Sequence, residues 1–167
     1  MQNKILKFIL WNLIFLVIYK ISVAHENHHH GKEERKDAKN QGLILGKVNN
    51  SYLNNIKTIF ERKCINCHGG QTGYPWYYKF PFAKGLIDSD VAEAKKHLDF
   101  SKGFPFKGHG TPKEDLEAIS KVVSEGTMPP FRYWVLHWDH RINEAERKAI
   151  LKWTSESLNE FSKEQKK

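Results

Sequence analysis

Cys64-Ile65-Asn66-Cys67-His68 is the stretch on which the reading of this chain turns. Two thiols and an imidazole stand at i, i+3 and i+4, positions that share one face of a helical turn. All three can reach one flat cofactor. Each sulfur can close a thioether to a porphyrin vinyl group, and the imidazole can bind the iron from the proximal side, which is the attachment pattern of a c-type haem. Two other readings use the same letters. Cys-x-x-Cys is half of many zinc sites, but structural zinc takes four N or S ligands. The chain has only two cysteines, so His68 and a further histidine would have to complete such a site. A redox dithiol is the third reading, and the adjoining histidine and an exported context argue against it.

The exported context comes from the start of the chain. Lys4 and Lys7 precede an apolar run at 8–19 broken only by Asn12, and Ser22-Val23-Ala24 supplies small residues where signal peptidase reads. Residues 1–24 are therefore expected to be a signal peptide, and the protein periplasmic. An uncleaved anchor is the alternative, disfavoured by the shortness of the run. A membrane is a partner only if this segment stays uncleaved. No cysteine near the cut offers a lipid anchor. Of the formal charge of +8, Lys4, Lys7 and Lys20 lie in this leader, which leaves +5. That excess suits a redox partner protein with an acidic surface, or is only a solvated basic face. No basic stripe interleaved with aromatics points to nucleic acid.

Residues 25–46 read as a polar linker, charged and without periodicity from 25 to 41. His28-His29-His30 within it offers transition-metal ligands or a solvated tail. Leu43-Ile44-Leu45 is expected to pack onto the domain at 47–162, and 163–167 reads as a frayed end. Asn50 or Ser51 can cap a first helix. Its stripe of Tyr52, Leu53, Ile56, Ile59 and Phe60 runs into Cys64. Gly69-Gly70-Gln71-Thr72-Gly73 breaks it. Tyr74-Pro75-Trp76-Tyr77-Tyr78-Lys79-Phe80-Pro81-Phe82 reads as an irregular aromatic loop, with Trp76 and Tyr77 as candidates for packing on haem. A second helix fits 88–99, capped by Asp88 or Asp90, and 101–110 reads as loop. A third has Thr111 as N-cap, Pro112 at N1, Glu114 at N3 and Gly126 as C-cap. A last helix starts with Asn143 as N-cap and Glu146 at N3. It runs to about 161, with Trp153 packed on the first helix.

Between the last two helices lies Thr127-Met128-Pro129-Pro130. Met128 is the only methionine beyond the leader. A methionine is commonly core filler, but this one sits where the next two residues have fixed φ. A thioether on so stiff a turn is placed to serve as the second axial ligand of the iron.

From about 60 to 158 the chain resembles the haem-binding domain family of exported bacterial proteins, which are cytochrome c-like. The residues that carry the resemblance are the Cys-x-x-Cys-His, Pro75-Trp76-Tyr77, Asp90-Val91 with Glu93, and Leu98-Asp99-Phe100-Ser101. Met128-Pro129-Pro130 follows, then Leu136-His137 with Asp139, Arg141 and Ile142. Gly69-Gly70 stands where a Ser-Asn type pair is usual, and Trp138 where a proline is. The resemblance implies an all-α, cytochrome c-like fold, about four helices around one covalently bound haem c attached outside the cytoplasm. Cys64 and Cys67 would hold that haem, and His68 and Met128 its iron. The expected function is single-electron transfer, a carrier and not an enzyme. The alternatives are a gas sensor or a peroxidase-like haem with an open or displaceable sixth position. In the latter, His97, His109, His137 or His140 would serve as distal acid–base groups near Arg132 or Arg141.

Overall fold

The computed structural model describes residues 30–70 and 73–164, which are mostly helical. The expected leader, the start of the linker and most of the frayed end lie outside them. The helices are α1 (His30–Asn55), α2 (Lys57–Lys63), α3 (Ile65–His68), α4 (Pro81–His97), α5 (Pro112–Glu125), α6 (Phe131–Trp134) and α7 (Glu144–Glu164). Single 3-10 turns cover Trp76–Lys79 and Trp138–His140. Strands β1 (Leu98–Asp99) and β2 (Lys107–Gly108) pair antiparallel, Leu98 opposite Gly108. Among the described residues, no helix is long and apolar enough to cross a membrane.

The chain divides into two units, Met1–Gly42 and Leu43–Lys167. In the first, residues 35–42 are exposed helix. The expectation of a flexible linker over 25–41 is corrected from His30 onward, where the chain is helix. Straight-chain charged residues with Ala38 and Gln41 are good helix formers, no proline interrupts them, and Gly42 and Gly46 each cost only about 1 kcal/mol. In the second unit, Ile44, Val48 and Tyr52 of α1 and Ile56 just after it stand four residues apart. Ile44 packs against the core and the other three lie in it.

The core of the second unit joins that stripe and Phe60 to Leu116, Ile119 and Val123 of α5 and Ile150 and Trp153 of α7. Trp153 packs on the first helix as expected, its ring 5.8 Å from Tyr52. Phe100, Phe104 and Phe106 complete it from the segment expected to be plain loop. That segment is folded back by the β1–β2 pair. Gly108 makes the pairing possible: its φ is +152°, and a Cβ there would meet the His97 carbonyl oxygen at 2.4 Å.

The caps expected at Thr111, Gly126 and Asn143 form, whereas Asn50 and Ser51 lie inside α1 and Asp88 and Asp90 inside α4. Thr111 and Glu114 form the reciprocal box at the start of α5. Asn143 and Glu146 form the same box before α7, both bonds at 2.9 Å. Gly126 closes α5 in the left-handed conformation at φ 67°. Arg147 donates to the Val123 and Ser124 carbonyls, satisfying acceptors that a helix end leaves open. The second long helix begins earlier than expected, at Pro81. Its N1 proline starts it, and Asp88 lies mid-helix, bonded to Tyr78 and Lys84.

Glu146 does more than cap. It is 7 % exposed and pairs with Arg62 at 3.0 Å and Lys63 at 3.7 Å, fastening the residues before Cys64 to α7. Glu146→Ala is expected to cost about 2 to 3 kcal/mol, the sum of a lost cap and a broken, largely buried ion pair. The check is a lower urea midpoint at unchanged slope.

Asp115 in α5 is 4 % exposed, and its Oδ2 has no hydrogen-bond partner among the described residues. Burial, reinforced by Glu114 and opposed by His109, lifts its carboxyl from the ordinary 3.8 to about 6. The folded state thus favours the protonated acid. The stability this contributes is full below pH 3.8 and is lost as pH rises through 6. Asp115→Asn is expected to abolish that dependence and to raise stability at pH 7 on the order of 2 kcal/mol. Denaturant midpoints at pH 4 and pH 7 check it.

Candidate functional site

The Cys-x-x-Cys-His motif occupies the join of α2 and α3. Cys64 N–H closes on the Phe60 carbonyl at 2.8 Å, and Cys67 and His68 N–H close on the Cys64 carbonyl at 3.2 and 3.0 Å. The two sulfurs and the imidazole are therefore carried on one helical turn. The chain then leaves at Gly69, where a Cβ would meet the Ile65 carbonyl oxygen at 2.6 Å. The glycine that departs from the family pattern is thus required by this backbone.

His68 is held twice by the segment at β1. Its Nδ1 lies 2.7 Å from the Leu98 carbonyl oxygen, and Phe100 N–H donates to the His68 carbonyl at 2.7 Å. A carbonyl can only accept, so Nδ1 carries the proton and donates it, which leaves the Nε2 lone pair available to a metal. The ring packs against Phe100 with centroids 5.1 Å apart. Burial lowers the basicity of His68, opposed by the Leu98 and Ala94 carbonyls, and keeps the ring neutral, as ligation requires.

Both thiols are half-buried and free. Burial first, then Cys67 and Glu146, push the Cys64 thiol up to about 12 against the pull of Lys63. Burial and Asp90 raise Cys67, opposed by Arg132 and Lys95. A redox dithiol needs a thiol poised low, and neither is. Among the described residues no group of three His, Cys, Asp or Glu side chains suits a metal ion.

Asn66, between the cysteines, is a site residue that the motif leaves unspecified. Its Nδ2 donates to the Tyr133 hydroxyl at 3.0 Å, and its Oδ1 accepts from Gly73 N–H at 3.3 Å. Tyr133 in turn meets His140 Nδ1 at 3.2 Å, and Tyr77 OH lies 3.4 Å from His137 Nε2. Arg132 forks onto Asp90 at 2.6 and 3.2 Å. Lys63 donates to the Asp139 carbonyl. The segment 131–140 is thereby tied to the motif turn and to α4. In the sequence, Asn66 and Tyr133 are legible only as a polar filler and one ring among many.

The other expected site residues fall apart into groups. His97 and His109 bond each other at 2.7 Å, and Glu93 holds His97 at 2.7 Å. They flank Leu98, on the Nδ1 side of His68, so they do not suit a distal acid–base role. Met128 stands on the turn after α5, anchored by two bonds from Thr127 to the Val122 carbonyl, and is 42 % exposed. Trp76, Phe82, Phe131, Leu136 and Trp138 are also exposed. Exposed apolar side chains in such number are what an apolar ligand or partner would cover. The motif donors, the fixed imidazole tautomer and these exposed side chains fit a haem.

A family model described as a haem-binding domain matches residues 14–156, a longer stretch than the sequence landmarks span. The chain is 30% identical over 135 residues to the cytochrome c peroxidase Ccp of Escherichia coli (strain K12). That match covers 80% of this chain and 28% of the relative, so the chain spans about a quarter of that protein's length. No solved structure matches. The peroxidase relative overturns the expectation that the chain is not an enzyme.

Proposed function

The chain belongs to the haem-binding domain family, and from that premise we propose that it is a cytochrome c-like module carrying one haem c in peroxide-linked electron transfer. Cys64 and Cys67 would hold the porphyrin by thioethers, and His68 Nε2 and the Met128 thioether would serve as ligands to its iron. The observation that carries the reading is the lock of His68 Nδ1 on the Leu98 carbonyl at 2.7 Å, on the same turn as both sulfurs.

When bound, the haem supplies a one-electron couple, set toward higher potential by a Met/His pair. The rest is the work of the chain. Leu98 fixes the tautomer and makes His68 a better donor. Phe100 packs on the imidazole and keeps water from its face. The exposed rings at 74–82 and 131–138 would offer apolar packing to a porphyrin. The net positive charge steers a redox protein with an acidic surface, and export through the leader places the reaction in the periplasm.

A second reading is favoured by the peroxidase relative together with the 42 % exposure of Met128. Here Met128 would be a displaceable ligand, and the haem would supply the chemistry toward peroxide. Spectra of the reduced protein with and without carbon monoxide separate the two. An unchanged Soret band supports the closed carrier. A rapid shift supports the displaceable ligand.

A further inference from the structure

We propose that Tyr133 is a redox-active tyrosine: it gives an electron to an oxidised haem while its phenolic proton passes to Nδ1 of His140. The proposal rests on the haem reading above, with hydrogen peroxide as the source of the oxidising equivalents.

A tyrosine is easily oxidised only if its proton can leave with the electron, because the oxidised phenol is a very strong acid. A half-buried tyrosine therefore needs a base within hydrogen-bond reach. Tyr133 is half-buried, with His140 Nδ1 at 3.2 Å. Its oxygen accepts from Asn66 Nδ2 at 3.0 Å, and the Asp139 carboxylate beside Nε2 favours the Nε2–H tautomer of His140, in which Nδ1 accepts the phenolic proton. The groups around His140 suit a neutral acceptor that can hold the proton once it arrives. Burial lowers its basicity, His137 and Lys63 act the same way, and Asp139 opposes them. The Asp139 carboxylate lies 3.7 Å from Nε2, where it stabilises the imidazolium. Around Tyr133, burial, Cys67, Tyr77 and Asp139 hold the phenol protonated, against the Asn66 bond.

The other hydroxyls of the aromatic segments are less suited. Tyr77 is 3.4 Å from His137 Nε2, long for an O–H···N bond. Tyr78 donates to Asp88, a carboxylate already paired with Lys84, so its base is weak. Tyr133 is also the one bonded to Asn66, between the two haem-bearing cysteines.

The balance is simple. One hydrogen peroxide becomes two waters by taking two electrons, which the haem would supply, and two protons from solvent. Tyr133 returns one of those electrons to the haem, becoming a neutral phenoxyl radical, and its proton goes to His140. Two one-electron donations then close the cycle: one reduces the radical as His140 gives the proton back, and the other restores the haem.

The test mixes the haem-loaded protein with hydrogen peroxide, freezes it, and records the organic radical by electron paramagnetic resonance. The expected result is a tyrosyl signal in the wild type, Tyr77→Phe and Tyr78→Phe proteins, and its loss in Tyr133→Phe. In deuterium oxide the signal should carry exchangeable couplings, altered in His140→Gln, whose radical yield also falls. A signal of undiminished size in Tyr133→Phe overturns the proposal, and so does a shifted Soret band without any tyrosyl signal. If peroxide leaves the Soret band unmoved, the peroxide reading is what fails. The same proteins are then oxidised by flash-generated ruthenium(III) tris-bipyridine. A tyrosyl signal lost in Tyr133→Phe again supports the proposal, and one that persists there, or is absent from the wild type, overturns it. A protein without a Soret band overturns both.

Discussion

Met128→Ala in the haem-loaded protein is expected to lose the sulfur-to-iron charge-transfer band of the oxidised state and to bind carbon monoxide when reduced. The turn that carries Met128 is built for a fixed position. Gly126 ends α5 at φ 67°, Thr127 is bonded twice to the Val122 carbonyl, and two prolines follow with φ near −65°. Little chain entropy is lost in presenting the thioether. Alanine has no donor, so the iron takes water or an added ligand, and its potential falls on the order of 0.1–0.3 V. Spectra and potentiometric titration check this. A charge-transfer band that persists in Met128→Ala would show that another group holds the sixth position.

The second large effect is expected in Cys64→Ser, Cys67→Ser. The structure separates two regions. The buried cluster of α1, α5 and α7 with Phe100, Phe104 and Phe106 is packed from protein side chains. Trp76, Phe82, Phe131, Leu136 and Trp138 stand exposed. Loss of the ring removes apolar cover worth about 25 cal/mol per Å², and it falls on that second region. Hydrogen exchange is therefore expected to accelerate strongly at 74–97 and 127–142, while 112–125 and 144–164 stay protected. A dye that binds exposed apolar surface should bind the variant and not the wild type. Equal exchange in both proteins would mean that these segments owe nothing to the cofactor.

How much of this is legible in the letters depends on the range of the interactions. The caps at Thr111, Gly126 and Asn143 are local, and each stands where residue type and spacing put it. The motif is local too, since five consecutive residues fix its geometry. The start of α1 is hidden because charged residues without periodicity read as linker. The four-residue spacing of Ile44, Val48, Tyr52 and Ile56 is nonetheless present. Pro81 reads as a loop residue among so many rings, although a proline at N1 starts helices. Contacts between distant segments have no signal at all. The Leu98 carbonyl on His68, the Asn66–Tyr133 bond and the Glu146 ion pairs join residues 30, 67 and 84 positions apart, and a backbone carbonyl has no letter of its own. Gly69 looks like a tolerated departure, and only the close approach of Ile65 makes it a requirement. No distal histidine–arginine pairing is recognisable in the chain, so the likeness to a peroxidase comes from the relative and not from these residues.

The most direct test of the account is the mass of the peptide containing residues 64–68 after the purified protein is denatured, extracted with acidified acetone and digested. One haem bound through both sulfurs is predicted, with the pigment staying on the polypeptide. A colourless peptide with two free thiols, its pigment in the solvent, would contradict it.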